Sequence, residues 1–439
     1  MDSKLTETEV SAGTRMTARG KRAIVAGAIG NTVEWVDWAI YTTFAVVFAP
    51  LFFPPDRPGT ALLFTLAVFA VGFVMRPIGA MVFGAYADRY GRKKGLVLSI
   101  TLMAVSSLII GVTPTYEHIG VVAPVILVAC RLLQGFSAGG EFGTSAAYLV
   151  ESAAPKRRAF AGSWQQVSVG AGLLLAAAIG AVITSTLSDQ ATSAWGWRLA
   201  FVLAGLLGFA GLWLRSSAEE TESFERVQKT EAEAPAAGRS NAVFDMFRRH
   251  PREALRVFGI NVGGTLLYYV WLSYLPVYVN VTTGMPLSEA LRANVITMVV
   301  FIALLPFAGL LSDRVGRKPT MIVFAVGFVL YAWPAFHFLN GEFWNLVVIE
   351  TFGAILLLGY CANAAAIMSE QFPAAVRASG IGVPYALAVA LFGGTAPYVL
   401  TWLNKNDLGQ YIWAYCAVAA AVAACVYLTM PETKGKVLD

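Results

Sequence analysis

The sequence predicts an all-α integral membrane protein of twelve transmembrane helices, arranged as two six-helix bundles. Three observations lead to this fold class: the composition, the number of long apolar segments, and a motif that occurs twice. Of the 439 residues, 57% are hydrophobic and only 13% are charged, whereas charged residues make up about a quarter of an average soluble domain. So few polar residues cannot cover several soluble cores, and the composition therefore excludes a soluble protein of this length.

The apolar segments are long enough to be helical spans. A helix needs about 20 residues to cross a bilayer, and a chain in lipid must satisfy its own backbone hydrogen bonds, which leaves helices or closed barrels. The segments exceed the roughly ten residues of a barrel strand. The predicted spans are 23–50, 60–86, 95–113, 120–150, 160–186, 197–214, 253–280, 289–311, 320–338, 343–368, 377–402 and 409–430.

The order of apolar and polar segments predicts the domain organisation. An N-terminal tail (1–22) precedes the first bundle (23–214), and a second bundle (253–430) precedes a C-terminal tail (431–439). Residues 215–252 are rich in Glu, Ala, Pro and Gly, a composition typical of a solvated linker. The apolar segment after Arg22 is too long for a cleaved signal peptide, so the first helix is expected to remain.

Positive charge predicts the orientation. Of the 32 Lys and Arg residues, 26 lie on the side of both termini; the exceptions are Arg57, Arg198, Arg292 and Lys405 on the other side, and Arg76 and Arg131 within spans. Because cytoplasmic loops carry an excess of Lys and Arg, both termini are expected in the cytoplasm.

A repeated motif predicts that the two halves are duplicates. The chain reads GAYADRYGRK at 84–93 and GLLSDRVGRK at 309–318, with six identical positions at the same place in each half. An Asp at a helix end can cap a neighbouring helix and pair with an Arg, so Asp88 with Arg92, and Asp313 with Arg317, are predicted to form a cytoplasmic gate between the halves. The alternative is that the basic residues only set the topology.

Several motifs together resemble a known family. The two repeats, RLLQG at 131–135 and PETKG at 431–435 are similar to signatures of the major facilitator superfamily. Within it, GNTVEWVD at 30–37, MRPIG at 75–79 and QGFSAGGEFG at 134–143 resemble the metabolite:H⁺ symporter family, and the resemblance covers residues 21–435. That family carries α-ketoglutarate, other dicarboxylates, citrate, shikimate, and proline with betaine. Where it usually has Phe after Trp35 and Asp37, this chain has Val36 and Trp38, which implies a reshaped pocket.

Charged residues inside spans are the first candidates for a site, because each costs at least about 2.5–3.5 kcal/mol to insert. Glu34 and Asp37 share one face of the first helix. Together with Arg131 and Glu141 they are the predicted proton-coupling residues, since one of two crowded carboxylates takes up a proton more easily. Arg76 and Arg131 are predicted to bind a substrate carboxylate. The alternative is a set of static ion pairs that hold the helices together.

Uncharged polar residues inside spans form a second set of candidates. A membrane cavity needs side chains that can hydrogen-bond a substrate. The predicted substrate-binding residues of this kind are Gln165, Gln166, Tyr269, Tyr274, Asn363 and Tyr385. Aromatic residues also serve as packing contacts, so some of this set are expected to be structural.

The absence of several motifs from the sequence narrows the function. There is no G-x-x-x-x-G-K-[ST] loop for ATP and no catalytic or metal signature, so the chain is predicted to be no enzyme, with neither cofactor nor metal. We expect a monomer in the bacterial inner membrane that contacts lipid and no nucleic acid. It is expected to use the proton gradient to carry a small organic anion, α-ketoglutarate or another carboxylate, by alternating access. The alternatives are shikimate, an aromatic acid, a zwitterion such as proline or betaine, or a sensor that binds without transport.

Overall fold

The computed structural model describes residues 18–53, 60–90, 92–151, 153–216, 247–373 and 376–436. Within these ranges side chains are described except at 18–27, 83–96, 140, 141, 144, 148 and 214–216. Most of the predicted linker and the outer parts of both tails lie outside the described residues.

The first half of the chain forms six successive spans. The fourth span is two helices joined by a short 3₁₀ turn at Ala138–Gly140. The helices are α1 Ala18–Phe52, α2 Thr60–Tyr90, α3 Arg92–Val112, α4a Val122–Ser137, α4b Glu141–Glu151, α5 Arg158–Thr186 and α6 Trp197–Ser216.

The second half forms six more spans, several of them interrupted. The helices are α7a Pro251–Tyr268, α7b Leu275–Thr283, α8 Leu287–Val315, α9 Arg317–His337, α10a Phe343–Cys361, α10b Ala364–Ser369, α11a Arg377–Ala388, α11b Ala396–Lys405 and α12 Ile412–Thr429. π-Helical segments at Tyr269–Tyr274 and Val389–Gly393 join the parts of α7 and α11. Such segments are rare within helices and occur frequently at functional sites.

The predicted fold class is confirmed. Ten helices of the described chain are long and apolar enough to cross a membrane, and the apolar parts of α3 and α4a are shorter. The predicted spans match the helices to within a few residues at most ends. The largest differences are at the start of α1, which begins at Ala18, and at the ends of α2 and α8, which continue to Tyr90 and Val315 and so contain most of each repeated motif.

The two halves pack against each other mainly through α5 and α8. Gly309 of α8 makes their close approach possible, because a side chain there would meet the backbone of Ala159 and Phe160 within 2.9–3.0 Å. We call the face where α1 begins and α12 ends the terminal face, and the other the opposite face. Gly309, in the second repeated motif, brings the halves together near the terminal face.

Candidate functional site

A buried polar chain joins three helices of the first half around Asp37. The side chain of Asp37 is 2% exposed and accepts a hydrogen bond from the Ser107 hydroxyl of α3. Ser107 in turn accepts from Nε2 of Gln134 at 3.0 Å, and Oε1 of Gln134 accepts from Nη1 of Arg131 at 2.8 Å. Gln134 follows Arg131 by one helical turn, so both side chains lie on the same face of α4a.

Asp37 and Arg131 form a loose ion pair. Nη1 of Arg131 lies 3.9 Å from Oδ2 of Asp37, beyond hydrogen-bonding distance. Oδ2 of Asp37, and Nε and Nη2 of Arg131, are buried without hydrogen-bond partners. A buried charge pair whose atoms are incompletely satisfied gains less than it loses in desolvation. The pair can therefore respond to a new partner, whether a proton on Asp37 or an anion beside Arg131.

A second ion pair lies next to the first. Nη2 of Arg76 is 3.8 Å from Oε1 of Glu34. The Arg76 guanidinium lies 4.4 Å from the centre of the Trp38 ring, and the Arg131 guanidinium lies 4.2 Å from it. Trp38 thus contacts both cations through its π-system. The sequence places Glu34 and Asp37 on one face; the structure sets each carboxylate beside a different arginine.

A small cavity lies between the two halves. Its lining residues are Trp35, Gln166 and Val169 from the first half, and Thr265, Tyr268, Tyr269, Tyr360 and Tyr385 from the second. The space available to the centre of a water-sized sphere is about 10 Å³, roughly that of one water molecule. The hydroxyls of Tyr268 and Tyr269 are buried and have no hydrogen-bond partner, so the wall offers polar groups to a small ligand.

The ion pairs are connected to this cavity by aromatic side chains. The Arg76 guanidinium lies 5.6 Å from the centre of the Trp35 ring, and Trp35 packs against Tyr269 at 6.1 Å between ring centroids. Phe73, which also contacts Arg76 at 4.5 Å, packs against Tyr269 at 5.3 Å. A ligand in the cavity would be separated from the charges of α1 and α2 by a single layer of rings.

Contacts between the halves close the cavity on both sides. Toward the opposite face, the hydroxyls of Thr42 and Ser273 lie 3.2 Å apart, and Nζ of Lys405 donates to Thr60 at 2.6 Å. Toward the terminal face, the rings of Phe142 and Tyr385 are stacked with centroids 3.7 Å apart. The structure therefore represents an occluded state, from which a substrate can leave only if one set of contacts opens.

The second repeated motif contributes a latch between the halves at the terminal face. Asp313 accepts hydrogen bonds from the backbone N–H groups of Ala159 at 3.1 Å and Phe160 at 2.9 Å, which are at the start of α5. It also accepts from Nη1 of Arg317 at 2.7 Å. A carboxylate at a helix N-terminus is stabilised by the free N–H groups and the helix dipole. We call the contacts of Asp313 with the start of α5 and with Arg317 the terminal-face latch.

Two glutamates extend the latch. Glu370 pairs with Arg317 at 3.3 Å and accepts from the Thr433 hydroxyl at 2.5 Å. Burial raises the pKa of Glu370 above its ordinary value, although Arg317 acts in the opposite direction. Glu432 accepts from the backbone N–H groups of Arg317 at 2.9 Å and Lys318 at 3.0 Å, at the start of α9. Partial burial alone would raise the pKa of Glu432, but these backbone donors hold it below its ordinary value.

The structure places the predicted substrate-binding residues in different surroundings. Gln166, Tyr269 and Tyr385 line the cavity. Gln165 donates to the backbone carbonyl of Phe142 at 3.3 Å, and the Tyr274 hydroxyl is bonded to Thr401, away from the cavity lining. Asn363 joins α10 to α9 through Thr320 at 2.8 Å.

Three predicted side chains cannot be placed in this way. Those of Glu141, Asp88 and Arg92 lie outside the described residues. The first copy of the repeated motif is therefore described by its backbone alone, and Gly91 within it lies outside the described residues.

Sequence reasoning missed the uncharged residues around the ion pairs. Ser107 lies in an apolar span without any motif, and its role depends on α3 and α1 being neighbours. Gln134 could have been found, because it lies three residues after Arg131 on a helix. Trp38 differs from the residue that the family usually has at its position, but this difference does not predict that Trp38 contacts two arginines.

Comparisons with known proteins agree on one type of protein. A family model described as "Sugar (and other) transporter" matches residues 23–439. The alpha-ketoglutarate permease of Escherichia coli K12 is 37% identical, with 98% of this chain and 99% of the permease aligned. The glycine betaine/proline/ectoine/pipecolic acid transporter OusA of Dickeya dadantii is 33% identical over 96% of this chain and 85% of that protein. The shikimate transporter of E. coli K12 is 32% identical over 96% and 98%.

A solved structure shows the same fold at low sequence identity. The major facilitator superfamily proton:xylose symporter XylE, bound to 6-bromo-6-deoxy-D-glucose, superposes with a TM-score of 0.72 at 19% identity. The alignment covers 95% of this chain and 97% of that structure.

Proposed function

This chain belongs to the sugar (and other) transporter family of the major facilitator superfamily, and from that premise we propose that it is a proton-coupled symporter of a small organic anion. It is a membrane transporter and not an enzyme. The substrate that we favour is α-ketoglutarate or another carboxylate, because the E. coli permease for α-ketoglutarate aligns over nearly the full length of both chains. The driving force is the proton gradient, without a cofactor.

The loose Asp37–Arg131 pair is the single observation that supports this proposal most. Protonation of Asp37 removes the negative charge 3.9 Å from Arg131. The buried guanidinium, whose Nε and Nη2 already lack acceptors, then interacts more favourably with the carboxylate of a substrate. Once the ring layer between the cavity and the arginines has moved aside, Arg131 can bind that carboxylate through two parallel hydrogen bonds. Loss of the proton restores the internal pair and favours substrate release. Proton and substrate are thereby linked through one arginine.

The second pair supplies a second potential anion contact. Nε and Nη2 of Arg76 are buried without hydrogen-bond partners, and the guanidinium lies beside the cavity residue Trp35. A dicarboxylate could engage Arg76 with one end while the other end reaches toward Arg131. Glu34 in this proposal has the same relation to Arg76 as Asp37 has to Arg131, and Glu141 is retained as a proton-coupling candidate from the sequence.

The cavity wall favours a second candidate, a zwitterion with a quaternary ammonium group. One Trp and four Tyr side chains surround the cavity, and aromatic faces of this kind attract such cations. A carboxylate at the other end of the molecule would face the arginines. Glycine betaine has both groups, and OusA, a 33% identical relative, is described as a transporter of it.

The two halves and the linker between them define the proposed arrangement in the membrane. The two halves, 23–214 and 253–430, act as bundles that rock around the cavity, joined by the 215–252 linker. The protein lies in the inner membrane of a bacterial cell, and its terminal face is on the cytoplasmic side. The latch of Asp313 and Arg317, with its counterpart Asp88 and Arg92, is the cytoplasmic gate. The working unit is a monomer in contact with lipid, protons and its substrate.

Uptake into proteoliposomes tests this function. Purified protein is supplied with labelled α-ketoglutarate, shikimate or glycine betaine under an imposed pH gradient, with protein-free vesicles as the control. Concentrative uptake that a protonophore abolishes supports the symporter and identifies the substrate. Equilibration without accumulation would indicate a uniporter, and binding without flux would indicate a sensor; either result contradicts the proposal.

A further inference from the structure

A buried carboxylate in the second half has no part in the mechanism above. Glu350 lies about two turns into α10a from the opposite face and is 0% exposed. Its Oε1 accepts a hydrogen bond from Nδ2 of Asn294 in α8 at 2.6 Å, while Oε2 is buried without a partner. One turn along, the hydroxyls of Thr297 and Thr351 join the same two helices at 2.9 Å.

Among the residues that the structure describes, no positive charge is paired with this carboxylate. In the described part of the chain, Asp37, Glu34 and Glu370 each lie within 4.0 Å of an arginine, and Glu350 forms no such ion pair. The titratable side chains on the elements packed against α10a are as follows: Glu289, Arg292, Asp313 and Arg314 on α8; Arg317, Lys318, Tyr331 and His337 on α9; Arg252, Glu253, Arg256 and Tyr268 on α7a; Tyr269 and Tyr274 on the π-helical segment.

Of these groups, only Tyr331 forms a hydrogen bond with α10a next to Glu350, and its partner there is a backbone carbonyl. Its hydroxyl donates to the carbonyl of Ile349 at 2.9 Å. Arg292, the nearest cation along α8 to Asn294, is exposed and donates to the carbonyl of Ser288 at 3.3 Å. An ionised carboxylate that is stabilised in a buried position by one amide, with the hydroxyl of Thr297 close by and no cation, is costly, and uptake of a proton removes that cost.

We propose that Glu350 is a second proton-binding site, separate from the Asp37–Arg131 pair, whose proton is carried during transport. The proton is transferred from water to the carboxylate; an O–H bond of hydronium breaks and an O–H bond to Glu350 forms, leaving a neutral acid in the occluded state. In the state open to the other side the proton returns to water. The inference that this proton is coupled rests on the proposed function.

Contacts of the neighbouring residues connect this site to the cavity wall. Nε1 of Trp271, in the π-helical segment that also contains Tyr269, approaches the Ile349 carbonyl at 3.5 Å. A side chain at Gly353, one turn beyond Glu350, would collide with the Trp271 ring. The π-helical segment that contains the cavity residue Tyr269 therefore packs against α10a. A change of charge at Glu350 acts on α10a and, through it, on this segment.

The accumulation ratio of substrate at a fixed pH gradient tests the coupling. Proteoliposomes with the membrane potential clamped at zero are supplied with α-ketoglutarate, and the limiting ratio is measured at several pH gradients. Each coupled proton contributes a factor of about ten per pH unit. We expect about 100-fold per unit for the wild type, about tenfold for Glu350→Gln, and the wild-type value for the control Glu289→Gln. A wild-type value of about tenfold per pH unit, or equal values for wild type and Glu350→Gln, would overturn the proposal.

Infrared spectroscopy tests the protonation itself and needs no transport. A protonated carboxyl group has a carbonyl band that a carboxylate lacks, and we expect Glu350→Gln, but not Glu289→Gln, to lose such a band at neutral pH. An unchanged spectrum would show that Glu350 is ionised and would overturn the proposal even if the protein carried none of the substrates tested. Uptake driven by a sodium gradient in the wild type but not in Glu350→Gln would assign the site to sodium, which also contradicts it.

Discussion

Arg131 and Asp37 face each other at 3.9 Å, yet they are joined by hydrogen bonds only through Gln134 and Ser107. The charges of a buried pair are usually held by direct hydrogen bonds, because an incompletely satisfied pair is costly. Here a neutral bridge keeps both side chains in place while the charges stay apart. This arrangement lets the proton on Asp37 change without collapse of the site.

Replacement of Asp37 is expected to separate transport from the proton gradient. Asp37→Asn keeps an acceptor for Ser107 but can no longer gain or lose a proton. Because release of the substrate requires loss of the Asp37 proton, we expect net uptake to stop. The substrate then does not accumulate above a ratio of about 1, against about 100-fold per pH unit in the wild type, even though Glu350 can still be protonated, while exchange of labelled for unlabelled substrate continues. Full accumulation by the mutant would remove Asp37 from the mechanism.

Replacement of the bridging hydroxyl is expected to have a smaller effect. Ser107→Ala removes the donor to Asp37 and the acceptor for Gln134, which are buried hydrogen bonds of about 1–3 kcal/mol. We expect a five- to hundredfold loss in transport efficiency, with altered dependence on pH. Ser106→Ala is the matched control, because Ser106 is equally buried and bonds only to the carbonyl of Leu102. Equal activity of the two variants would contradict the role of the bridge.

Arg131→Lys is expected to impair transport although the charge is retained. An ammonium group cannot form two parallel hydrogen bonds with a carboxylate, nor the same contact with the face of Trp38. We expect a fall of at least about tenfold in kcat/KM, equivalent to about 1.4 kcal/mol. Normal transport by this variant would make Arg131 structural. Arg292→Lys, at an exposed position, is the control.

The terminal-face latch is expected to hold the occluded state. Asp313→Asn weakens the cap at the start of α5, a contribution of about 0.5–2 kcal/mol. We expect a Gln166→Cys variant, in a background without native cysteines, to react about two- to thirtyfold faster with an impermeant thiol reagent added from the terminal face. The same cysteine with Asp407→Asn, an exposed site at the opposite face, should react at the original rate. No difference between the two would exclude a gating role for Asp313.

Glu432 is expected to make the stability depend on pH. Because its pKa is lowered in the folded protein, its contribution is complete above the ordinary glutamate pKa and is lost as the pH falls through the lowered value. Glu432→Gln should therefore reduce the melting temperature in detergent at pH 7 and show a smaller further loss toward pH 3 than the wild type. Glu342→Gln is the control, since Glu342 precedes α10a without a capping hydrogen bond. Parallel pH curves for wild type and Glu432→Gln would contradict this prediction.

The sequence was sufficient for the fold and only in part for the candidate site. Spans follow from local composition, because lipid forces each apolar segment into a helix. The charged residues inside spans could also be found, since each one is an exception to the apolar composition of its span. Ser107 could not, because whether a hydroxyl in an apolar span faces a carboxylate, a cavity or its own backbone is decided by packing between helices distant in sequence. The sequence shows that Glu350 is a charged residue inside a span. It does not show that Glu350, among the described residues, has no cation beside it.

The most direct test of the account is the movement of protons that accompanies the substrate. Proteoliposomes that contain a pH indicator are given α-ketoglutarate, or in parallel shikimate or glycine betaine, without an imposed gradient. We expect acidification of the interior with the wild-type protein and none with Asp37→Asn, whose net uptake of substrate is blocked. Uptake of the substrate at constant internal pH would contradict it.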